Sequence, residues 1–412
     1  MRLMVYEHVC GGGFASEPIS PSVLCEGFGM LRTLIADFKA AGHNVTTTVD
    51  SRIAMLNPPI EADYVVPVSS SKEAQANLQK ISDEVDAVYV IAPETDGVLG
   101  SLVELVEQTN AASLNCSASA IEKVSNKAGF HNLLKKRGVP TPETLTFKVF
   151  DNVAEIKQAI RGGLNFPLIF KPSDGVSCCG LSVVRNEAQV AAAANKIKQE
   201  SRSKQFLVQE LIAGAAASVC LFSTGRTAVA VSLNHQDVVI ETPEACSSYG
   251  GGSVPFDSPL QAETFKMAKE VVESFPNLRG YVGVDFVLTE DAAVVVEVNP
   301  RLTTSYVGLR AVANFNPAQA IITTVMKRKL PAHIENCGYA YFSKVNVPHP
   351  QGDTLQKTYA MDDVVSPPFP VSANATASAL IASHGFTLEE TKSRFSEAKK
   401  RVLNTINRGK KR

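Results

Sequence analysis

Asp285, Glu297, Asn299 and Arg301 have the types and spacing for cation chemistry on a phosphate. They lie in Tyr281–Arg301, where two β-branched runs flank Thr289-Glu290-Asp291, the pattern of a β-hairpin. Alternation puts Val284, Phe286 and Leu288 on one face of the first strand, and Val294, Val296 and Val298 on the matching face of the second. Pairing those faces sets Val284 opposite Val298 and brings Asp285 opposite Glu297. Asn299 shares the Glu297 face, roughly 6.6 Å further along the strand. Directly opposed side chains sit about 5 Å apart at Cβ, and like charges there are destabilising, so a cation belongs between them. Oxygen ligands alone suit a hard ion such as Mg²⁺, which also takes phosphate oxygens. The same pattern also allows a solvated face whose acids only limit aggregation.

Two lysines could serve the same phosphate. Lys171 ends the apolar run Phe166-Pro-Leu-Ile-Phe-Lys171-Pro172, where an ammonium is costly to desolvate and needs a partner. The Gly/Ser-rich loop Asp174–Gly180 follows, and its backbone N–H groups could close over phosphate oxygens. A hairpin with a lysine at its mouth is the plainer alternative. No Gly-Lys-Ser/Thr opens a helix here, so this is not a P-loop. Lys127 is expected within a single helix, Ser119–Gly138, capped by Ser117 or Ser119 and stopped by Gly138 and Pro140. Further on, Gln209-Glu210-Leu211-Ile212 leaves a strand for a turn. Exposed backbone beside apolar side chains there suits an adenine ring, which needs a donor, an acceptor and an apolar slot.

The elements that must position these groups fall into an α/β and an α+β part. Residues 1–117 alternate strand and helix, which implies a parallel sheet of Rossmann-like type. Two of its loops follow strands, where open α/β sheets bind ligands: Cys10-Gly11-Gly12-Gly13-Phe14 and Pro93-Glu94-Thr95-Asp96-Gly97. The first is not Gly-x-Gly-x-x-Gly, which argues against a dinucleotide, and a simple turn explains it as well as a substrate loop does. Residues 118–204 carry the two lysines, and 205–330 carry the adenine-type edge and the metal-type hairpin. In the latter part, Ser218–Ser223, Ala228–Leu233 and Val238–Glu241 read as separate strands, and Cys246–Val254 as a second glycine-rich loop. Residues 331–412, ending in a helix capped by Thr387, read as an extension that packs on the core, with no chemistry of its own.

The chain has 412 residues, 45% hydrophobic and 20% charged, with 40 basic against 41 acidic residues. That balance gives no pull toward nucleic acid or a membrane surface, and no run reaches the roughly 18 apolar residues of a membrane span. The basic end Arg408–Arg412 reads as a solvated tail. Charge interrupts Met1–His8 too early for a signal peptide, so the expected location is cytoplasmic. Eight scattered cysteines without Cys-x-x-Cys imply neither zinc nor a disulfide framework.

A helix lysine, a strand lysine before a Gly/Ser loop, Gln-Glu-x-Ile-x-Gly, and Gly-x-Asp-Phe paired with Glu-x-Asn-Pro-Arg occur in that order. This order resembles the ATP-grasp superfamily. The resemblance covers roughly residues 118–330 and implies a Rossmann-like pre-ATP-grasp domain followed by a two-subdomain ATP-grasp fold. It implies ATP and Mg²⁺, or Mn²⁺, as cofactors. Lys127 and Lys171 would bind phosphates, the loop with Asp174, Gly175 and Gly180 would fold over them, and Gln209, Glu210, Leu211 and Ile212 would contact adenine. Asp285, Glu297 and Asn299 would hold metal, and Arg301 would meet the transferred phosphoryl or the acyl-phosphate. More narrowly, Glu7-His-x-Cys-Gly-Gly-Gly13 and Tyr249-Gly-Gly-Gly look like the tyramine–glutamate ligase group of methanofuran-type cofactor synthesis. Glu7, Gly11, Gly12, Gly13, Tyr249 and Gly250 would then bind substrate. Ala215-Ala216-Ala217 departs from the superfamily pattern, which often has an acid there for the ribose.

The implied activity is an ADP-forming carboxylate–amine ligase on small molecules, joining glutamate to tyramine, tyrosine or a similar amine. Dimers are common among such enzymes, so a homodimer is compatible with it. A ligase for another acid and amine, or a nucleotide-binding regulator without turnover, are the competing expectations.

Overall fold

Strands and helices alternate through the first 117 residues, and they fold as parallel β/α units. Their sheet has the order Tyr64–Val68, Asn44–Asp50, Arg2–Glu7, Ala87–Ile91, Ala112–Ser113, every pair parallel. Ala87–Ile91 is buried along its whole length, as a strand covered on both faces requires. The computed structural model describes residues 1–175, 178–372 and 375–409. Val176 and Ser177 of the phosphate-type loop, and Lys410–Arg412 of the basic tail, lie outside the described residues.

Two antiparallel sheets follow among the described residues. The smaller has the order Thr144–Lys148, Gln205–Glu210, Leu168–Pro172, Ser182–Val184. The larger has eight strands, in the order Ala293–Asn299, Arg279–Leu288, Ala215–Thr224, Ala228–Val239, Ser248–Val254, Tyr339–Pro348, Thr376–Gly385, Val364–Ser366. The last three come from residues 331–412. That segment therefore continues the sheet of the metal-type hairpin instead of packing on it as an appendage. Pairing partners are set by tertiary contact and leave no local trace in the sequence.

Three further elements depart from expectation. The run Ala228–Val239 is one strand, since its polar stretch His235-Gln-Asp237 pairs with Ser248–Val254. Ser248–Val254 is itself a strand and not a loop. Its glycines are there because neighbouring backbones come close: a Cβ on Gly251 would lie 2.0 Å from Phe342 O, and one on Gly252 2.1 Å from His235 O. Finally, the helix expected over 119–138 is two helices, Ala118–Ser125 and Lys127–Lys136. Asn126 leaves helical geometry (ψ 83°) and its Oδ1 caps the second helix by accepting Gly129 N–H at 3.1 Å. An Asn side chain that competes for backbone donors favours a cap over a helix interior. Lys127 thus stands at the first position of a helix, aimed at the cleft.

One apolar core joins the first sheet to the hairpin. Val88 and Val90 of the parallel sheet share a cluster with Val284, Phe286, Val295 and Val298. No helix among the described residues is long and apolar enough to cross a membrane.

Candidate active site

The hairpin forms with the expected register at its open end: Gly283 pairs with Asn299, Val284 with Val298 and Asp285 with Glu297. Beyond that pair the register shifts, and Phe286 faces Val295. The extra residue is Val296. Val295 consequently takes the core position expected of Val296, while Val296 joins Glu297 on the cleft side. A bulge of this kind re-aims side chains next to sites.

The cleft between the two antiparallel sheets has a volume of about 680 Å³. Lys127, Lys171, Gly175, Gln209, Glu210, Leu211, Ile212, Tyr249, Asp285, Glu297, Asn299 and Arg301 all line it. Lys127 Nζ meets Glu297 Oε2 at 2.9 Å and donates to Gly175 O at 2.7 Å. Asp285 accepts from Asn299 Nδ2 at 2.9 Å and Gln236 Nε2 at 3.2 Å. Among the described residues Lys171, only 8% exposed, has no hydrogen-bond or ion-pair partner. Burial, followed by the repulsion of Lys127, brings its pKa down to about 8.

The acids respond to this crowding in opposite directions. Burial raises the Asp285 pKa, and the neighbouring Glu297 charge raises it further. Burial acts the same way on Glu297, but Lys127 and Lys171 outweigh it and hold Glu297 low. Asp285 is the carboxylate short of a cation. No group of three His, Cys, Asp or Glu side chains with metal-holding geometry occurs among the described residues. The donors are two carboxylates and an amide, all hard oxygens, a set that fits Mg²⁺ completed by phosphate and water oxygens.

Arg301 is tied to the first domain. Its Nε and Nη2 donate to Glu94 Oε2 at 3.1 and 3.0 Å. The Pro93–Gly97 loop therefore reaches the site, where sequence pattern allowed either a turn or a ligand loop. The same loop touches the phosphate-type loop: Thr95 Oγ1 donates to Asp174 O at 2.9 Å, and Asp96 N–H to Asp174 Oδ2 at 3.2 Å.

The adenine-type edge is only partly open. Glu210 N–H donates to Glu143 O and Leu211 N–H to Pro167 O, whereas Ile212 N–H has no backbone acceptor among the described residues. Gln209 braces the floor, donating from Nε2 to Thr144 Oγ1 at 2.8 Å and facing His131 Nε2 at 3.0 Å. Ile169, Leu211, Ile212, Val287 and Val296 give the cleft its apolar part.

Several expected residues are not brought to the cleft. Glu7 is buried at the end of its strand, where Oε2 accepts Cys10 N–H at 2.7 Å. Gly11, Gly12 and Gly13 form a tight turn against Thr48, Val68 and His8, and a Cβ on Gly12 would lie 2.2 Å from Val68. These glycines serve packing, the turn alternative that sequence pattern left open. Asp174 turns to the Pro93–Gly97 loop, Gly180 N–H is taken by Glu200 Oε2 at 2.9 Å, and Gly250 O accepts Ser343 Oγ at 2.9 Å. In their place the cleft gains Glu26, Gln236 and Asp237. Lys344 stands behind Glu26, with Nζ 2.5 Å from Oε1. Nothing in the sequence pattern marks these four, because each reaches the cleft through pairing across distant strands or helices.

Comparison with known proteins agrees with this geometry. A family model for the ATP-grasp domain matches residues 124–305, and one for a pre-ATP-grasp domain matches residues 43–121. The chain is 27% identical over 335 residues to the tyramine–L-glutamate ligase of Methanocaldococcus fervens, covering 81% of this chain and 97% of that one. The crystal structure of an ATP-grasp superfamily protein from Archaeoglobus fulgidus is similar in fold, with a TM-score of 0.62 at 22% identity over 92% of this chain and 99% of that one. Carboxyaminoimidazole ribonucleotide synthase from Aspergillus clavatus, solved in complex with ATP, reaches a TM-score of 0.68 at 15% identity over 98% of each chain.

Proposed function

We propose that this chain, which belongs to the ATP-grasp superfamily, is an ADP-forming carboxylate–amine ligase that joins L-glutamate to tyramine or a similar amine. The observation that carries the reading is the opposed pair Asp285 and Glu297 with Lys127, Lys171 and Arg301 lining the same cleft. The likeness to the Methanocaldococcus ligase supports the substrate pair.

A carboxylate does not condense with an amine at neutral pH, because it is resonance-stabilised and protonates the amine. Activation solves this: a carboxylate oxygen attacks the γ-phosphorus of ATP, ADP leaves, and an acyl-phosphate forms. The step presses one anion against another, so fixed cations carry most of its catalysis. Among the described residues the Lys171 ammonium has no acceptor, which leaves it to take phosphate oxygens. Lys127 sits at the first position of a helix, where N–H groups also favour an anion. Asp285, Glu297 and Asn299 would hold Mg²⁺, or Mn²⁺ with the same hard oxygens, which when bound gathers phosphate oxygens and offsets their charge. The amine nitrogen then attacks the acyl carbon, phosphate leaves, and the amine proton is lost. Arg301, held by Glu94, would stabilise the oxyanion of that step. Ile212 N–H would meet adenine. Asp237, two residues beyond the Ala217–His235 pair, offers the carboxylate that Ala215-Ala216-Ala217 lacks for the ribose.

The test is ADP release from Mg-ATP with L-glutamate and tyramine, each alone and together, and then with panels of acids and amines. Release that needs both an acid and an amine is expected. Silence across the panels would overturn the ligase reading in favour of a nucleotide-binding protein.

A further inference from the structure

One wall of the cleft is built from four distant segments. Glu26, on the helix Pro21–Ala40, lines the cleft together with Tyr249 and Thr304. Its Oε1 meets Lys344 Nζ at 2.5 Å, and its Oε2 accepts Thr304 Oγ1 at 3.1 Å. Lys344, from the strand Tyr339–Pro348, also donates to Ser22 Oγ at 2.7 Å and lies over the Tyr249 ring, 5.4 Å from its centroid. Both charged side chains are 12% exposed. Two contacts, one to each oxygen, thus fix one carboxylate at the cleft surface.

Stability does not require such a pair, since burying two charges costs about as much as their attraction returns. A ligand role does account for it. An ionised carboxylate offers about four lone-pair sites. Lys344 and Thr304 occupy two, and among the described residues no third donor reaches Glu26. The remaining capacity faces the cleft. A single carboxylate already offset by Lys344 is a poor divalent-metal site, whereas an ammonium brings three donors of matching geometry. The amine that attacks an acyl-phosphate must shed its proton, so a carboxylate that holds an ammonium in its charged form suits the amino group that does not react. That group is the α-ammonium of an amino acid whose carboxylate is being activated.

We infer that Glu26 is the specificity-determining residue that accepts the α-ammonium of an amino-acid substrate, with Lys344, Ser22 and Thr304 positioning its carboxylate. The inference rests on the ligase reading and adds to it the residue that selects the amino acid.

The experiment compares L-glutamate with glutarate, the same skeleton without the amino group, in ADP release by the full chain with saturating Mg-ATP and tyramine. Wild type is expected to prefer L-glutamate by at least tenfold in kcat/KM. Glu26→Gln should raise KM for L-glutamate at least tenfold, leave KM for ATP and for glutarate unchanged, and so collapse the ratio. Lys344→Met and Thr304→Val should lower the ratio in the same direction, and Lys344→Arg should restore most of it. The wild-type ratio stands even if a variant fails to fold. Equal use of the two acids by wild type, or a folded Glu26→Gln enzyme with the wild-type ratio, would overturn the inference while leaving the ligase reading intact. No ADP release with any acid would overturn the ligase reading, and this inference with it.

Discussion

Arg301 donates twice to a single oxygen of Glu94, and the other oxygen of that carboxylate, Oε1, is buried without a partner among the described residues. The first domain thus holds the guanidinium that the second sheet presents to the cleft. Removing one member of a buried charge pair typically costs about 3–5 kcal/mol, because the survivor is left uncompensated. Glu94→Gln should lower the unfolding free energy by that order in urea titrations. It should also cut kcat more than it changes KM for ATP, since Arg301 loses its orientation. A variant with wild-type stability and kcat would show that the pair neither braces nor positions Arg301.

Glu297→Gln removes one of the two opposed acids and the partner of Lys127. Mg-dependent ADP release should fall by more than about a hundredfold, the scale seen when a charge-stabilising group is lost. Circular dichroism should stay near wild type, because losing the partner of Lys127 is offset in part by relief of the repulsion between Glu297 and Asp285. Wild-type turnover in this variant would sink the metal-site assignment.

Two histidines, His131 buried and His8 half-buried, contribute to the acid limb of stability. Burial pulls His8 down to about 4 and His131 down to about 3. A folded-state pKa below the unfolded value of about 6.5 gives stability that is complete above that pH and is lost as pH falls. Urea unfolding should therefore weaken steadily from about pH 6.5 to 4, and His131→Gln should flatten part of that slope. An unchanged slope would mean that His131 is protonated without penalty in the fold.

Gly251 has φ 137° and faces Phe342 O across the strand pair. Gly251→Ala forces a Cβ to 2.0 Å from that oxygen, so the sheet must open where residues 331–412 join it. A loss of several kcal/mol, or failure to fold, is expected in thermal melts. A wild-type melt would contradict the continuous eight-stranded sheet.

The parts of this site that sequence pattern reveals are those where local chemistry is self-sufficient. Opposed acids on a period-2 hairpin announce both their register and their need for a cation, and a lysine ending an apolar strand announces its need for a partner. Alternation alone puts Val296 in the core, because a one-residue bulge flips the faces without changing composition. The break at Asn126 is hidden because a cap inside a helical pattern looks like an ordinary polar position. Glu7 and the Gly11–Gly13 turn followed a strand end as ligand loops do, yet the same small residues also satisfy tight packing against Thr48 and Val68. Glu26 and Lys344 lie more than 300 residues apart, and only the folded sheet reveals that they share a wall.

The central claim is that a carboxylate oxygen is transferred to phosphate. L-Glutamate labelled with ¹⁸O in its carboxylates, turned over with Mg-ATP and tyramine, tests it directly by ³¹P NMR of the released inorganic phosphate. An acyl-phosphate pathway predicts one ¹⁸O in each phosphate formed, with amide product in equal amount. Unlabelled phosphate accompanying amide formation would contradict it.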